Sequence, residues 1–334
     1  MAERCVVVGA GGISGAWFPP LKKENVEIAA VVDLRLEAAE RRIAEFELDC
    51  PASTDLKKTL KQTRPDFVVD LTLPATHCAV TCTSLRAGCH VIGEKPMASS
   101  MAEARRMVKT SEETGKLYMV SQSRRYDGRH ERLRATIASG EIGRVTTVNC
   151  DFYLAAHFGG FRDQMDSPLI LDMSIHHFDM ARMFVGFDPV AVYAKEFNPY
   201  GSWYKGDVSA SCIFEMTDDI IFSYRGSWCS EGCHTAWGGN WRIIGDKGTI
   251  LYEQDAEPRG QVVVGQEGFN FPLREAVIAD TDVPAPGQHG ALQEMLEYLR
   301  TGKTPQGECH DNFKSLAMVF GVIESNKKGR RVTF

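Results

Sequence analysis

A chain of 334 residues is long for one domain and comfortable for two, and with 43% apolar and 25% charged residues it has the composition of an ordinary globular protein. A net charge of -6 weighs against nucleic acid or an anionic membrane surface as partner, and no uncharged apolar run reaches the roughly 18 residues of a membrane span. The 10 cysteines are scattered, and neither Cys78/Cys82 nor the loose Cys229, Cys233, His234 group has the second tight pair of a zinc site, so no metal is expected.

Taken in order, the chain enters a strand pattern at once, which argues against a signal peptide and, with unpatterned thiols, for a cytoplasmic protein. Short Val- and Ile-rich runs at Cys5–Val8, Ile28–Val32, Phe67–Leu71, His90–Ile92 and Leu117–Val120 predict strands. Helical patterns at Gly12–Lys23, Leu36–Phe46, Asp55–Thr63, Ala75–Ala87 and Ser100–Thr114 lie between them. That alternation implies βαβ units and a doubly wound parallel sheet over residues 1-123.

From residue 124 to 334 the pattern changes. A helix is expected within Arg124–Gly143, then a half-exposed strand at Thr146–Leu154 and a helix at Leu169–Phe184. Strand-like runs follow at Val190–Phe197, Asp207–Met216, Ile220–Ser227, Trp241–Ile244, Thr249–Glu253 and Gln261–Val264, separated by turn residues. Helices at His289–Arg300 and Asp311–Lys327 close the chain and are free to pack back on the first domain. The fold class is therefore α/β, a nucleotide-type domain plus an α+β domain with an open, mainly antiparallel sheet.

Val6-Val7-Val8-Gly9-Ala10-Gly11-Gly12-Ile13-Ser14-Gly15 reads as strand, glycine turn and helix start. Gly9 suits the tight turn, Gly11 lets backbone approach a pyrophosphate, and the helix start with Gly12, Ile13 and Ser14 offers N–H groups to phosphate. Asp33 ends the next strand, where a carboxylate accepts from an adenosine ribose and favours NAD, while Arg35 beside it leaves NADP open. Thr72, Leu73 and Pro74 follow the Phe67–Leu71 strand and are placed to touch cofactor; His77 reads equally well as a cofactor contact or as a packed helix residue.

Further on stand Gly93-Glu94-Lys95-Pro96, Ser123-Arg124-Arg125-Tyr126, Gly140-Glu141-Ile142-Gly143 and Asp172-Met173-Ser174-Ile175-His176-His177-Phe178-Asp179. Together with the glycine turn they resemble the Gfo/Idh/MocA family of NAD(P)-dependent sugar and inositol dehydrogenases over essentially the whole chain, with Ser174 where that family usually has glycine. The resemblance implies a Rossmann domain followed by an open-sheet domain whose sheet forms homodimers or homotetramers. It maps Lys95, Asp172 and His176 onto the catalytic lysine, aspartate and histidine. It adds Glu94, Lys95 and Gln122 to the cofactor contacts, and Arg162 near the nicotinamide, where Phe161-Arg162 departs from a frequent Trp-Arg.

The residue types suit the chemistry. Oxidising a secondary alcohol needs a base, histidine titrates near neutrality, and an i, i+4 helical spacing puts Asp172 and His176 on one face. Lys95 would bring positive charge to a developing alkoxide or relay its proton. Tyr153 and His157 are substrate candidates for a small polyhydroxylated molecule, and the aromatics of the Trp-rich stretch 228-241 read equally as sugar platform or core. Two other functions share the same motifs: an NAD-retaining, redox-neutral glycosidase and a catalytically silent ligand sensor.

Overall fold

The computed structural model describes residues 2–281 and 285–334, which divide into two compact units. The first runs to Tyr126 and adds a later segment ending at Leu316; the second begins at Asp127 and also takes in Ala317–Phe334.

In the first unit β1 (Arg4–Val8), β2 (Glu27–Val32), β3 (Ala52–Ser53), β4 (Phe67–Asp70), β5 (His90–Glu94) and β6 (Tyr118–Ser121) form one sheet in the order β3-β2-β1-β4-β5-β6. Every pairing is parallel. Val6, Val7, Phe67, Val68, Val69, Val91 and Ile92 are fully buried, as strands covered on both faces must be. The two-residue edge strand β3 is too short to show a period, and the sequence did not reveal it.

The crossovers are α1 (Phe18–Lys23), α2 (Leu36–Glu45), α3 (Leu56–Thr63), α4 (Pro74–Arg86) and α5 (Met101–Thr114). Asp55 caps α3 and Ser100 caps α5, each side-chain oxygen accepting the N–H three residues on. The expected single helix over Gly12–Lys23 is instead a 3-10 turn, Gly12–Ala16, followed by the six-residue α1. Pro19 and Pro20 have no N–H to bond back to Gly15 and Ala16, so the ladder must restart at Phe18.

The second unit holds α6 (Gly128–Ala138), β7 (Val145–Tyr153), α7 (Ile175–Val185), β8 (Pro189–Phe197), β9 (Ser209–Met216), β10 (Ile221–Ser227), β11 (Asn240–Gly245), β12 (Gly248–Tyr252), β13 (Arg259–Val263) and β14 (Leu273–Glu275). With β15 (Val332–Thr333) these strands make a sheet ordered β14-β13-β12-β11-β7-β10-β9-β8-β15, antiparallel except for the β7–β10 pair. On one face Phe214, Phe222 and Tyr224 pack against Phe178 of α7, and Trp241 against its Phe184. The other face carries Tyr193, Phe197 and Ile213, all exposed.

Two helices close the chain, α8 (Gly287–Thr301) and α9 (Cys309–Lys328). Ala291, Leu292, Met295 and Leu296 of α8 share the core of the first unit with Val7, Ile92 and Met119. Residues of α9 up to Leu316 group with the first unit and those from Ala317 with the second.

One buried acid makes stability depend on pH. Glu196 of β8 is 1% exposed, and one of its carboxyl oxygens has no partner among the described residues. Burial pushes its carboxyl up to about 7, against the pull of a hydrogen bond from Ser167. The unfolded chain releases this proton near pH 4.5 and the folded chain near 7, so folding loses stability as pH rises through that window. The loss amounts to about 3 kcal/mol once pH exceeds 7. Glu196→Gln, which keeps the shape without the charge, is therefore expected to unfold at a higher denaturant concentration than the parent at pH 8, with the gap narrowing toward pH 5.

Candidate functional site

Parallel topology puts the carboxyl ends of β1, β2, β4, β5 and β6 at one edge of the sheet, and the strand order reverses between β1 and β4. In folds of this kind ligands lie beyond that edge. Gly9 leaves β1 with φ +99, and a Cβ there would stand 2.7 Å from the Leu71 carbonyl carbon and oxygen, so only glycine fits. The neighbouring positions are different. A Cβ on Gly11 or Gly12 would meet nothing within 4 Å, which leaves a shallow backbone cradle open to a ligand.

Asp33 leaves β2 and turns back. Its Oδ2 accepts from Ala10 N at 2.8 Å and its Oδ1 from Arg35 N at 2.9 Å, so the acid also fixes the glycine turn. Arg42 of α2 donates to the Gly11 carbonyl at 2.9 Å, a contact that no spacing in the sequence announces. Ile13 is 39% exposed at the turn, but Ser14 is fully buried and its hydroxyl donates to Gly11 O at 2.7 Å. Ser14 thus shapes the turn from within through its side chain and does not present its hydroxyl to a phosphate.

Thr72, Leu73 and Pro74 follow β4, Leu73 being 73% exposed. His77, three residues into α4, is 1% exposed. Its Nδ1 lies 3.0 Å from Pro96 O and its Nε2 2.8 Å from Thr72 O. This corrects the cofactor reading of His77, because a ring buried with both nitrogens on backbone oxygens has no face left for a ligand. Glu94 is 7% exposed, and Oε1 accepts from Trp17 Nε1 at 2.9 Å and from Gln288 at 3.5 Å. Lys95, part-buried, stands between these two anchored neighbours. Gln122, just past β6, is 2% exposed, and its side-chain nitrogen has no partner among the described residues.

In the second unit the segment expected as one helix over Leu169–Phe184 starts as a π turn, Leu169–Ser174, and continues as α7. Asp172 lies in the π turn and His176 in the first turn of α7, so the plain α-helical i, i+4 argument does not hold for the pair. Arg162 Nε donates to Asp172 Oδ2 at 2.5 Å, and its guanidinium sits 4.9 Å and 4.8 Å from the Phe158 and Phe161 ring centres. The arginine placed by resemblance near a nicotinamide is therefore also the clamp on Asp172, and Phe161 supplies one aromatic face of it.

Ser174, fully buried, donates to Tyr224 Oη at 3.0 Å, which gives a hydroxyl at this position something to do that glycine could not. His177 is buried among Phe152 and Tyr224. Tyr153 ends β7, and burial raises its hydroxyl above the usual phenol range. His157 stacks on Trp203 with ring centres 3.8 Å apart and meets Glu231 Oε1 at 3.0 Å. The aromatics separate cleanly: Trp228 and Trp241 are core at 1% exposure, whereas Trp237 is 46% exposed beside Phe158.

Among the described residues Glu308, Cys309 and His310 bring ligand-type atoms within 4.8 Å of one another. Each is already hydrogen-bonded inside the group or to Glu112.

Residues 3–122 match the model for the GFO/IDH/MocA oxidoreductase family with an NAD-binding Rossmann fold, and residues 130–251 match that family's C-terminal domain. The chain belongs to this family. As a member it carries an NAD-binding Rossmann domain, and the open glycine cradle with its acid-ended second strand fits that cofactor. A protein called y4oX from Sinorhizobium fredii is 26% identical over 99% of this chain and 96% of its own length. Inositol 2-dehydrogenase 4 of Saccharopolyspora erythraea is 31% identical over 57% of this chain and 56% of its own, and D-glucoside 3-dehydrogenase of Escherichia coli 30% over 60% and 59%. Among solved structures, an Agrobacterium radiobacter oxidoreductase in complex with NAD+, L-tartaric acid and magnesium superposes with a TM-score of 0.86 at 21% identity, covering 100% of this chain and 98% of that one. No helix among the described residues is long and apolar enough to cross a membrane.

The two kinds of glycine separate fold from ligand. Gly9→Ala is expected to destabilise the protein itself, since its Cβ meets backbone. Gly12→Ala, placed in open space, is expected to leave the melting temperature unchanged within about a degree while weakening NAD binding by about tenfold or more in calorimetry. Unaltered NAD affinity in Gly12→Ala would move the pyrophosphate elsewhere.

Proposed function

We propose that the protein transfers a hydride between NAD and a secondary hydroxyl or carbonyl carbon of a sugar, cyclitol or related polyol. The observation that carries the reading is Lys95, anchored on both sides at the carboxyl end of β5, the same sheet edge that holds the open glycine turn. The named relatives, inositol and glucoside dehydrogenases, act on that substrate class and support it. Asp33 at the end of β2 favours NAD over NADP, since a carboxylate there repels a ribose phosphate.

Bound NAD accepts the hydride in the oxidative direction. His176 takes the hydroxyl proton as the carbonyl forms, and Asp172, whose carboxylate Arg162 holds, is the group that orients that imidazole. Lys95 stabilises the developing alkoxide or passes on its proton. Tyr153 and His157 belong to the polyol-binding side of the second unit.

Incubation with NAD and a panel of cyclitols, hexoses and anhydrosugars tests the reading, with net NADH as the readout. Accumulating NADH supports a dehydrogenase; release of an alcohol from a glycoside without net NADH identifies a redox-neutral glycosidase; neither identifies a ligand sensor. His176→Ala is expected to lower turnover by about a hundred- to ten-thousand-fold with NAD affinity nearly intact. An unchanged rate and pH profile in that variant would leave Lys95 as the base.

We propose further that copies of the chain pair through the exposed sheet face. Tyr193 and Ile213 are directly opposite each other on β8 and β9, and both are 51% exposed. A Tyr193→Asp, Ile213→Asp variant is expected to sediment as a smaller particle than the parent, and an unchanged sedimentation coefficient would place any interface elsewhere.

A further inference from the structure

The chain has 5 tryptophans, and one of them keeps a large part of its ring in solvent. Trp17, Trp228 and Trp241 are buried, each at 1% exposure or less. Trp203 is half-buried, with His157 stacked on it at 3.8 Å between ring centres. Trp237, on the loop from β10 to β11, is 46% exposed. That loop is held on both sides of it. Thr235 N donates to Tyr153 O at 3.0 Å, Thr235 Oγ1 accepts from Tyr153 N at 3.0 Å, and Trp241 Nε1 donates to Gly238 O at 2.8 Å. A large apolar ring in water on an immobilised backbone gives up burial without gaining freedom, which is how a prepared contact surface is built.

Two lines of contact run from Trp237 to the π turn that carries Asp172, both inside the second unit. At the surface Trp237 lies 6.3 Å from Phe158 between ring centres. The Arg162 guanidinium sits 4.9 Å from that Phe158 ring and donates to Asp172 Oδ2 at 2.5 Å. Beneath the surface, His177 Nε2 lies 3.3 Å from Trp237 O, and His177 Nδ1 lies 3.4 Å from Tyr224 Oη, which accepts from Ser174 Oγ at 3.0 Å. Ser174, His177 and Tyr224 are fully buried, where polar contacts are strong and costly to break. The tryptophan loop and the π turn are thereby fixed to each other, and the aromatic surface is set beside the Asp172 carboxylate.

We propose that Trp237 determines specificity: with Phe158 it forms a fixed aromatic platform that takes the C–H face of a ring-shaped polyol, a pyranose or a cyclitol, in preference to an open-chain one. The inference rests on the polyol reading above and narrows it. An aromatic face is negative and attracts the positive edges of C–H groups. A six-membered ring holds several of its C–H groups on one side permanently, with the hydroxyls pointing away to polar partners. An open chain has to give up rotational freedom to present the same patch. Tyr224 is the positioning residue behind the platform, since its hydroxyl joins Ser174 of the π turn to the histidine that meets the Trp237 carbonyl.

The full chain labelled with 15N-tryptophan and loaded with NAD tests the platform by NMR, the Trp237 indole signal being the one missing from Trp237→Phe. The probes are myo-inositol, methyl α-D-glucopyranoside and 1,5-anhydroglucitol, with sorbitol as the open-chain control. At least one ring polyol is expected to shift the Trp237 signal saturably, with sorbitol at the same concentration leaving it in place. In calorimetry Trp237→Ala is expected to bind that ring polyol about tenfold more weakly, and Trp237→Phe less than about threefold more weakly, with NAD binding like the parent's. Tyr224→Phe, which keeps the ring and drops the hydroxyl, is expected to move the Trp237 signal in the protein without polyol. A ring polyol that binds with the Trp237 signal unmoved, parent-like affinity in Trp237→Ala, equal binding of sorbitol, or no ring polyol bound at all would overturn the proposal. An unmoved Trp237 signal in Tyr224→Phe would remove Tyr224 from it. NADH measured alongside keeps the two readings apart. A ring polyol bound on Trp237 without NADH supports the platform and removes the dehydrogenase, whereas turnover of sorbitol alone removes the platform and leaves the dehydrogenase.

Discussion

Gly9 sets the geometry from which the first unit follows. Its missing Cβ lets the end of β1 lie against the Leu71 carbonyl, so the two central strands finish at nearly the same depth and the chain turns between them. Everything with chemical potential in that unit then collects at one edge: the glycine turn, Asp33, the Thr72 loop and Lys95. A side chain at position 9 would push β1 from β4 at the switch point, where a parallel sheet buried on both faces has least room to yield.

Around that close approach the side chains do two jobs with different burial. Some face outward, as Leu73 does; others work beneath the surface to fix loops. Asp33 is shared between the two, since its carboxylate accepts from Ala10 N while staying partly exposed beyond β2. Glu94 and His77 are both buried, Glu94 bonded to Trp17 and His77 meeting the Pro96 carbonyl, on either side of Lys95.

The second unit uses a different device. Its sheet carries an aromatic layer on one face, with Phe178, Phe214, Phe222, Tyr224 and Trp241 in edge and stacked contacts. The π turn at Leu169–Ser174 sits at the N-terminal end of the helix that packs on this layer. There Arg162 pairs with Asp172 between two phenylalanine rings, and Ser174 ties the turn to Tyr224. Wide turns of this kind change which side chains share a face, and they recur at functional sites.

The strand and helix runs of the first unit and the glycine turn were legible in the sequence, because they depend on local period and on short motifs. Short continuous Val and Ile runs suit strands buried on both faces, and Gly9, Gly11 and Asp33 are set by their spacing along the chain. Sequence missed the break at Pro19 and Pro20, the π turn, and the strands too short to show a period. It also left His77 open between a cofactor contact and a packed helix residue, which the burial of its ring decides for packing. Polarity in sequence says that a group needs a partner, but it does not say whether that partner is a cofactor or a backbone oxygen from a distant loop. Only the tertiary structure brings Pro96 O and Thr72 O to the two sides of one imidazole, because contacts 19 and 5 residues apart are set by how strands order in the sheet and not by any periodicity along the chain.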